Sequence, residues 1–420
     1  MNLLAPGPNP HHRRVPGLAP APRRSDAPLE TLETIVLISQ CTVNALVFAR
    51  SCRDRGIAVY LLEVTGGAPR WPAFSAALSG GTAMPAARLS TPEGLARIVE
   101  YAASVGAGVL AADISVDRGY LIEHRAALEK TCRLVAPTAD GRAIEGDKVR
   151  QIELARAVGF PVLPTWLLRC PADLDAIPDE AFPICVRPQN LRLSPWFKVL
   201  VMHDRAALRV RLEATDFAGT AIIAQPFLNV PNLKVHGVRS VSGEILALRA
   251  FCVSRKFQGV TLSLQPARLP DAIAQSSREF VERCGVVGCF QFDLLWSQDA
   301  AYFLEINPRP GGTTDKVRWL GFDEPSLTLA AYGFRGPAEQ PPAPAPAFRT
   351  VVSKRTVLKH IAAAARNELT ELDYPGGSRL RHILQSCREL VWAKDSVFDW
   401  RDLRGSFWYH ARSSGRHSKA

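Results

Sequence analysis

The stretch from Cys289 to Gly312, CFQFDLLWSQDAAYFLEINPRPGG, constrains the fold more than any other part of this chain. Apolar and polar residues alternate from Phe290 to Leu294, and again across Glu305, Ile306 and Asn307. A period of two belongs to β-strands with one buried face. The turn Ser297-Gln298-Asp299 joins the two runs as a hairpin. Gln291 and Asp293 then share one face of the first strand, and Glu305 and Asn307 share one face of the second, Tyr302 to Asn307. A solvated sheet face alternates in the same way. As a site, Asp293, Glu305 and Asn307, with Gln291 as a substitute for Asp293, offer hard oxygen ligands. Such a set suits Mg²⁺ (or Mn²⁺), which takes one or two carboxylates together with substrate phosphates. Arg309 follows, a planar fork matched to phosphate or carboxylate.

The ending Glu-x-Asn-Pro-Arg-Pro-Gly-Gly resembles the terminal signature of the ATP-grasp superfamily. Three further motifs stand upstream in the family's order. Gly146-Asp147-Lys148, a helix from Val149 to Val158 and Gly159-Phe-Pro-Val-Leu-Pro-Thr165 resemble the entrance to the ATP-grasp domain. Phe182-Pro-Ile-Cys-Val-Arg-Pro188 resembles the strand that carries a phosphate-binding cation, and Ala221-Ile-Ile-Ala-Gln-Pro-Phe-Leu228 the hinge strand beside adenine. Together they are similar to the carboxylate–amine ligases and the large subunit of carbamoyl phosphate synthetase.

The resemblance implies an ATP- and Mg²⁺-dependent ligase. ATP phosphorylates a carboxylate, and an amine or other nucleophile displaces phosphate from the acyl phosphate. Electrostatic neutralisation by cations does most of the protein's work in such a transfer. Carried over residue by residue, Lys148 and Arg187 bind phosphates, and Arg309 steadies the γ-phosphate or acyl phosphate. Gln225 stands where the family has a Glu that accepts the adenine amino group, and Leu228 supplies backbone bonds there. The chain departs from the family at the loop Gln189 to Lys198, which should be glycine-rich. No glycine occurs from Phe182 to Phe217, so Arg192 or Lys198 takes over the phosphate contacts of backbone amides. The alternative is a degenerate ATP-grasp scaffold or regulator that binds nucleotide without turnover.

Ahead of these motifs, strands and helices alternate. Thr34 to Ser39 is a buried strand, Val43 to Arg55 an amphipathic helix stopped by Gly56, and Ile57 to Glu63 the next strand. Gly106 to Asp113 is another strand and Leu121 to Cys132 another helix. This is the pattern of a small parallel α/β domain. Gln40-Cys-Thr-Val-Asn44 replaces G-x-G-x-x-G after the first strand, which argues against a dinucleotide site. The fold expected is α/β plus α+β: a Rossmann-like domain at 31–140, then a two-lobed ATP-grasp domain at 141–335. A disordered Pro-rich leader at 1–30 precedes them, and a Pro-rich linker at 336–346 leads to a mostly helical, basic extension at 347–420. Within the ATP-grasp part, Lys234 and His236 share a strand face, His236 reading as a structural histidine or a base. Arg255 and Lys256 read as holders of an acceptor carboxylate or as an exposed strand end.

The net charge of +11 raises nucleic acid as a partner, but its distribution argues against it. Pro346 to Ala420 holds 14 Lys/Arg against 7 Asp/Glu, so the basic excess sits mainly there. Such a tail reads as a solvated extension. Its interleaved Trp392, Trp400, Trp408 and Tyr409 equally suggest docking on the main body or on a partner, either a second copy or another protein. No apolar stretch is long enough to span a bilayer, and the leader lacks a secretion core. The nine scattered cysteines lack zinc spacing and read as reduced core residues of a cytoplasmic protein, and the resemblance implies small-molecule carboxylate and amine substrates.

Overall fold

The computed structural model describes residues 29–190, 199–215, 220–297, 300–338, 348–374 and 377–412. Residues 1–28 of the expected leader, Arg192, Lys198, most of the 336–346 linker and the turn residues Gln298 and Asp299 lie outside the described residues, and Glu30 of that leader stands in a short strand, Glu30–Thr31.

The first unit is a five-stranded parallel sheet. Its centre, β1 (Thr34–Ser39), is a run of aliphatic residues with both faces covered. With β2 (Ala58–Thr65), β3 (Gly80–Pro85), β4 (Val109–Ala112) and β5 (Arg133–Val135) it forms the order β3-β2-β1-β4-β5. Helix α1 (Val43–Arg53) begins at Thr42, whose hydroxyl accepts from the Ala45 amide at 3.1 Å. The chain leaves it through Gly56, at φ +72°, where a side chain would be strained. Helix α2 (Pro92–Ser104) buries Ile98 and Ala102 in one core with Val36, Ile38, Leu62, Leu110 and Leu134 of the sheet. The sequence pattern does not announce β3, which is rich in Gly and Pro, or the three-residue β5. The helix expected from Leu121 to Cys132 is instead two short turns, Gly119–Glu123 and Arg125–Leu128. Arg125 reaches the carbonyls of Leu134, Ala136 and Pro137, which ties the second turn to β5.

Helix α3 (Lys148–Ala157) opens the second unit. A four-stranded antiparallel sheet follows, of β6 (Trp166–Leu168), β7 (Ile184–Pro188), β8 (Leu200–Met202) and β9 (Ile222–Pro226) in the order β6-β9-β7-β8, with helix α4 (Arg205–Glu213) on its flank. A larger sheet is built from β10 (Asn232–Arg239), β11 (Ile245–Phe257), β12 (Val260–Ala267), β13 (Gly288–Trp296) and β14 (Ala301–Asn307). Helix α5 (Asp271–Arg283) packs behind it, and α6 (Glu324–Ala331) closes the unit. Phe290, Phe292 and Leu294 point from β13 into a core with Phe160, Phe280 and Phe303, where Phe160 and Phe292 centroids lie 5.2 Å apart. The other face of β13 is therefore committed to the cleft.

The C-terminal segment corrects the expectation of a solvated tail. Strands β15 (Val351–Val352) and β16 (Lys394–Asp395) extend the large sheet to seven strands, in the order β14-β13-β10-β11-β12-β15-β16. Helices α7 (Lys354–Ala365) and α8 (Arg379–Trp392) pair beside it. Helix α9 (Leu403–Arg412) returns to the first unit, where Trp408 meets Phe74 edge-on at 4.7 Å. Buried Arg50 of α1 donates to Asp402 Oδ2 at 2.8 Å and to the Val397 carbonyl at 2.6 Å. The segment's Asp402 and Trp408 are thus matched to Arg50 and Phe74, and docking on the main body is what the described residues do. Trp392 and Trp400 remain exposed. Among the described residues no helix is long and apolar enough to cross a membrane.

Candidate active site

A cleft of about 560 Å³ lies between the four-stranded sheet and the large sheet. The strand register brings the predicted donors together. Asp293 on β13 stands directly opposite Glu305 on β14, and Gln291 opposite Asn307. The ladder shifts just after Asp293, which ends the regular pairing at the acidic pair.

Each acid has a fixed partner. Lys234, opposite Asp293 in the β10–β13 ladder, forms an ion pair with it. Lys148, the first residue of α3, lies 3.3 Å from Glu305 Oε2. The helix start itself is set by Asp147, whose Oδ1 accepts from the Val149 amide at 3.0 Å, the Arg150 amide at 3.2 Å and Gln189 Nε2 at 3.0 Å. Burial alone would raise the Glu305 carboxyl; Lys148 and Arg187, with the Asn307 amide, overcome it and hold it at about 2. Glu305 is therefore fully ionised at neutral pH.

Arg187 projects from β7 and donates to Gln225 Oε1 at 3.0 Å and to the Leu304 carbonyl at 2.9 Å. Gln225 Nε2 in turn donates to Thr165 Oγ1 at 2.9 Å. The amide oxygen that the sequence offers to adenine thus accepts from Arg187 here, and Gln225 orients that arginine. Leu228 lines the cleft beside Pro226 and Phe227. Arg309 pairs with Glu145 and donates to Asn307 Oδ1 at 3.0 Å, so it steadies the third donor.

Gln291, offered by the sequence as a substitute for Asp293, is hydrogen-bonded at both ends of its amide. Its Nε2 donates to Asp293 Oδ2 at 3.0 Å, and its Oε1 accepts from Thr313 Oγ1 at 3.0 Å. His236, fully buried, continues this chain: Nε2 lies 3.2 Å from Thr313 Oγ1 and Nδ1 lies 2.6 Å from Glu324 Oε1. Both ring nitrogens are engaged away from solvent, which is the structural reading of His236. Gly311 completes the arrangement, because a Cβ there would stand 2.2 Å from Gln291 Oε1.

Arg255 and Lys256 separate. Arg255 is wholly buried and paired with Glu389 and Ser386 of α8, so it is neither an exposed strand end nor a substrate group. Lys256 faces the cleft, and among the described residues its ammonium makes no hydrogen bond or ion pair. Burial holds that ammonium down at about 8, with Asp293 opposing and Lys234 reinforcing the shift. Sequence reading also missed the contribution of Glu371, Leu372 and Asp373. Leu372 lines the cleft. Glu371 lies 3.0 Å from His203 Nε2 beside the smaller sheet, and Asp373 accepts from the Gln258 amide of the β11–β12 turn at 2.6 Å. No local pattern marks these residues, since they act only through distant strands.

The donor set fits a hard divalent cation: two ionisable carboxylates opposite one another and an amide oxygen beside them, in a cleft otherwise rich in cations. Among the described residues no cluster of three or more His, Cys, Asp or Glu is arranged as an all-protein metal site.

No family model matches the chain, and no curated protein matches it by sequence. Solved structures do match. N5-Carboxyaminoimidazole ribonucleotide synthetase, in an ADP complex, is 12% identical with a TM-score of 0.61, covering 86% of this chain and 97% of that one. The biotin carboxylase domain of Hydrogenobacter thermophilus 2-oxoglutarate carboxylase, solved with MgADP, ADP and bicarbonate, is 15% identical with a TM-score of 0.57, over 74% of this chain and 72% of that one. An L-amino acid ligase from Bacillus licheniformis is 15% identical with a TM-score of 0.54, over 72% and 74%. These likenesses establish the fold. The chain has the ATP-grasp fold, as its motifs led us to expect.

Proposed function

We propose that the chain is an ATP- and Mg²⁺-dependent ligase that joins a carboxylate to an amine or other nucleophile through an acyl phosphate. The observation that carries this reading is the cross-strand pair Asp293–Glu305, with Asn307 and a lysine on each acid, in the cleft between two sheets. In this reading Asp293, Glu305 and Asn307 hold the cation, which when bound neutralises phosphate oxygens. Lys148 and Arg187 hold the nucleotide phosphates, and the Pro226–Leu228 hinge receives the adenine. A substrate carboxylate oxygen attacks the γ-phosphorus and ADP leaves. The nucleophile's nitrogen then attacks the acyl carbon, phosphate leaves, and the nitrogen loses a proton. Arg309, set by Glu145, faces the charge that develops on the transferred group. Lys256 supplies a further cation to the polyphosphate, and Leu372 an apolar wall. The resemblance of the fold to an amino acid ligase and to carboxylases supports this class, and the acid and nucleophile are those of small molecules.

Calorimetric titration of Mg·ATP tests the reading. The native chain should bind, and Glu305→Gln should lose the metal dependence of binding while keeping its melting temperature. Metal-dependent binding and ADP release retained in that variant would sink the assignment. The glycine-free stretch from Phe182 to Phe217 favours a second reading, a nucleotide-binding scaffold. Its signature would be Mg·ATP binding without ADP release on any acid and amine pair.

A further inference from the structure

Thirteen large hydrophobic residues are exposed among those described, and eight of them lie between Leu358 and Phe407. Scattered single exposures are ordinary, whereas a concentration in one segment marks a contact surface. Helix α8 orders the largest part of it. Its inner face is fixed, because Ser386 and Glu389 grip buried Arg255 and His382 is buried beside them. Its outer face presents Leu380, Leu384, Cys387 and Val391, all exposed, followed by Trp392 at 81% exposure.

The intervals of that stripe are four, three and four residues, the spacing of a helical seam rather than of an isolated patch. Arg381 and Arg388 stand one heptad apart along one edge. Among the described residues neither guanidinium makes a hydrogen bond or ion pair. The only acid on the helix, Glu389, is turned inward to Arg255. The seam is therefore apolar with an unneutralised basic edge.

We propose that the outer face of α8 is the docking surface for an amphipathic helix of a partner protein whose seam is apolar and whose flanking positions are acidic. Charge complementarity selects this occupant. A second copy packed antiparallel would set the arginine edge against itself, which costs affinity. A helix with glutamates beside its seam neutralises both arginines while covering the leucines. The face is also ready-made, since α8 is anchored through its back and loses little freedom on binding.

The test uses the full chain and two fluorescein-labelled three-heptad peptides with Leu at the seam, one flanked by Glu and one by Lys. The Glu peptide should bind at least about tenfold more tightly than the Lys peptide, by anisotropy at moderate salt. Arg381→Glu with Arg388→Glu should invert that preference. Leu384→Asp, at an exposed position, should abolish binding of both with an unchanged melting temperature. Absence of binding to either peptide, or equal binding by Leu384→Asp, would overturn the proposal. Two further outcomes would replace the occupant. One is self-association in sedimentation that Leu384→Asp abolishes. The other is retention on phosphatidylserine vesicles that the same change removes.

Discussion

Replacing Arg50 with Met asks whether the C-terminal segment is part of the folded body. The guanidinium is 1% exposed and makes four hydrogen bonds into that segment: Asp402 Oδ2 at 2.8 Å, the Val397 carbonyl at 2.6 Å, and the Asp402 carbonyl and Ser406 Oγ at 3.1 Å each. Methionine fills much of the same volume but supplies no donor. It leaves the Asp402 carboxylate buried against neutral donors only, the Ser75 hydroxyl and the Ala76 and Gly405 amides. Deleting one partner of a buried pair costs about 3–5 kcal/mol, because the other charge stays desolvated. The remaining donors to Asp402 place this case near the lower end, at about 3 kcal/mol. Arg50→Lys should fall between, since an ammonium keeps the charge but not the fork. Adding Asp402→Asn to Arg50→Met should recover part of the loss, and a coupling of about 1–3 kcal/mol is expected from the cycle. Urea unfolding followed by tryptophan emission reads it, because Trp408 sits on Phe74 at this junction. Limited proteolysis gives an independent readout, with faster release of the segment after residue 348. A variant within about 0.5 kcal/mol of the native chain and with native cleavage rates would refute the argument.

Lys256 and the Glu371 contact give two further expectations. The Lys256 ammonium, held at about 8, carries its charge below that pH and loses it above. Mg·ATP affinity should therefore weaken about fivefold from pH 8 to pH 9, following one titrating group. Lys256→Met should bind weakly with a flat profile over that range, and a flat profile in the native chain would remove Lys256 from the nucleotide site. Glu371→Gln weakens a contact between the C-terminal segment and His203, one residue from cleft-lining Leu372. It should speed both binding and release of a fluorescent ATP analogue two- to fivefold, about the span of an exposed ion pair, in stopped flow. Unchanged rates would show that this contact does not gate the cleft.

The cleft-lining strands were legible because a single local pattern decides them. In β13 and β14, side chains two apart share a face, so the alternation of Phe290, Gln291, Phe292 and Asp293 separates core from cleft without knowledge of any neighbour. The register that sets Asp293 against Glu305 follows from a hairpin, the shortest connection a sheet allows. The helix expected from Val149 to Val158 is likewise found, at Lys148–Ala157, with Asp147 as its cap. What was not legible depends on partners far along the chain. Arg255 and Lys256 are adjacent in sequence, yet one is sealed by Glu389 and the other opens to the cleft, and only the later helix α8 distinguishes them. That Gln225 also accepts from Arg187, on the neighbouring strand, could not be read from its own stretch of sequence. The C-terminal segment is the plainest case. A count of charges sees an excess of Lys and Arg, but Asp402 is turned to Arg50 and Asp399 lies near Arg53, both on α1. Trp408 is likewise matched to Phe74. A pattern such as Asp395, Asp399 and Asp402 among Val397, Phe398 and Trp400 was the available signal, because acids interleaved with large apolar residues in a basic tail have little to do in water. Net charge describes how a segment behaves when it is free; whether it is free is decided by residues several hundred positions away.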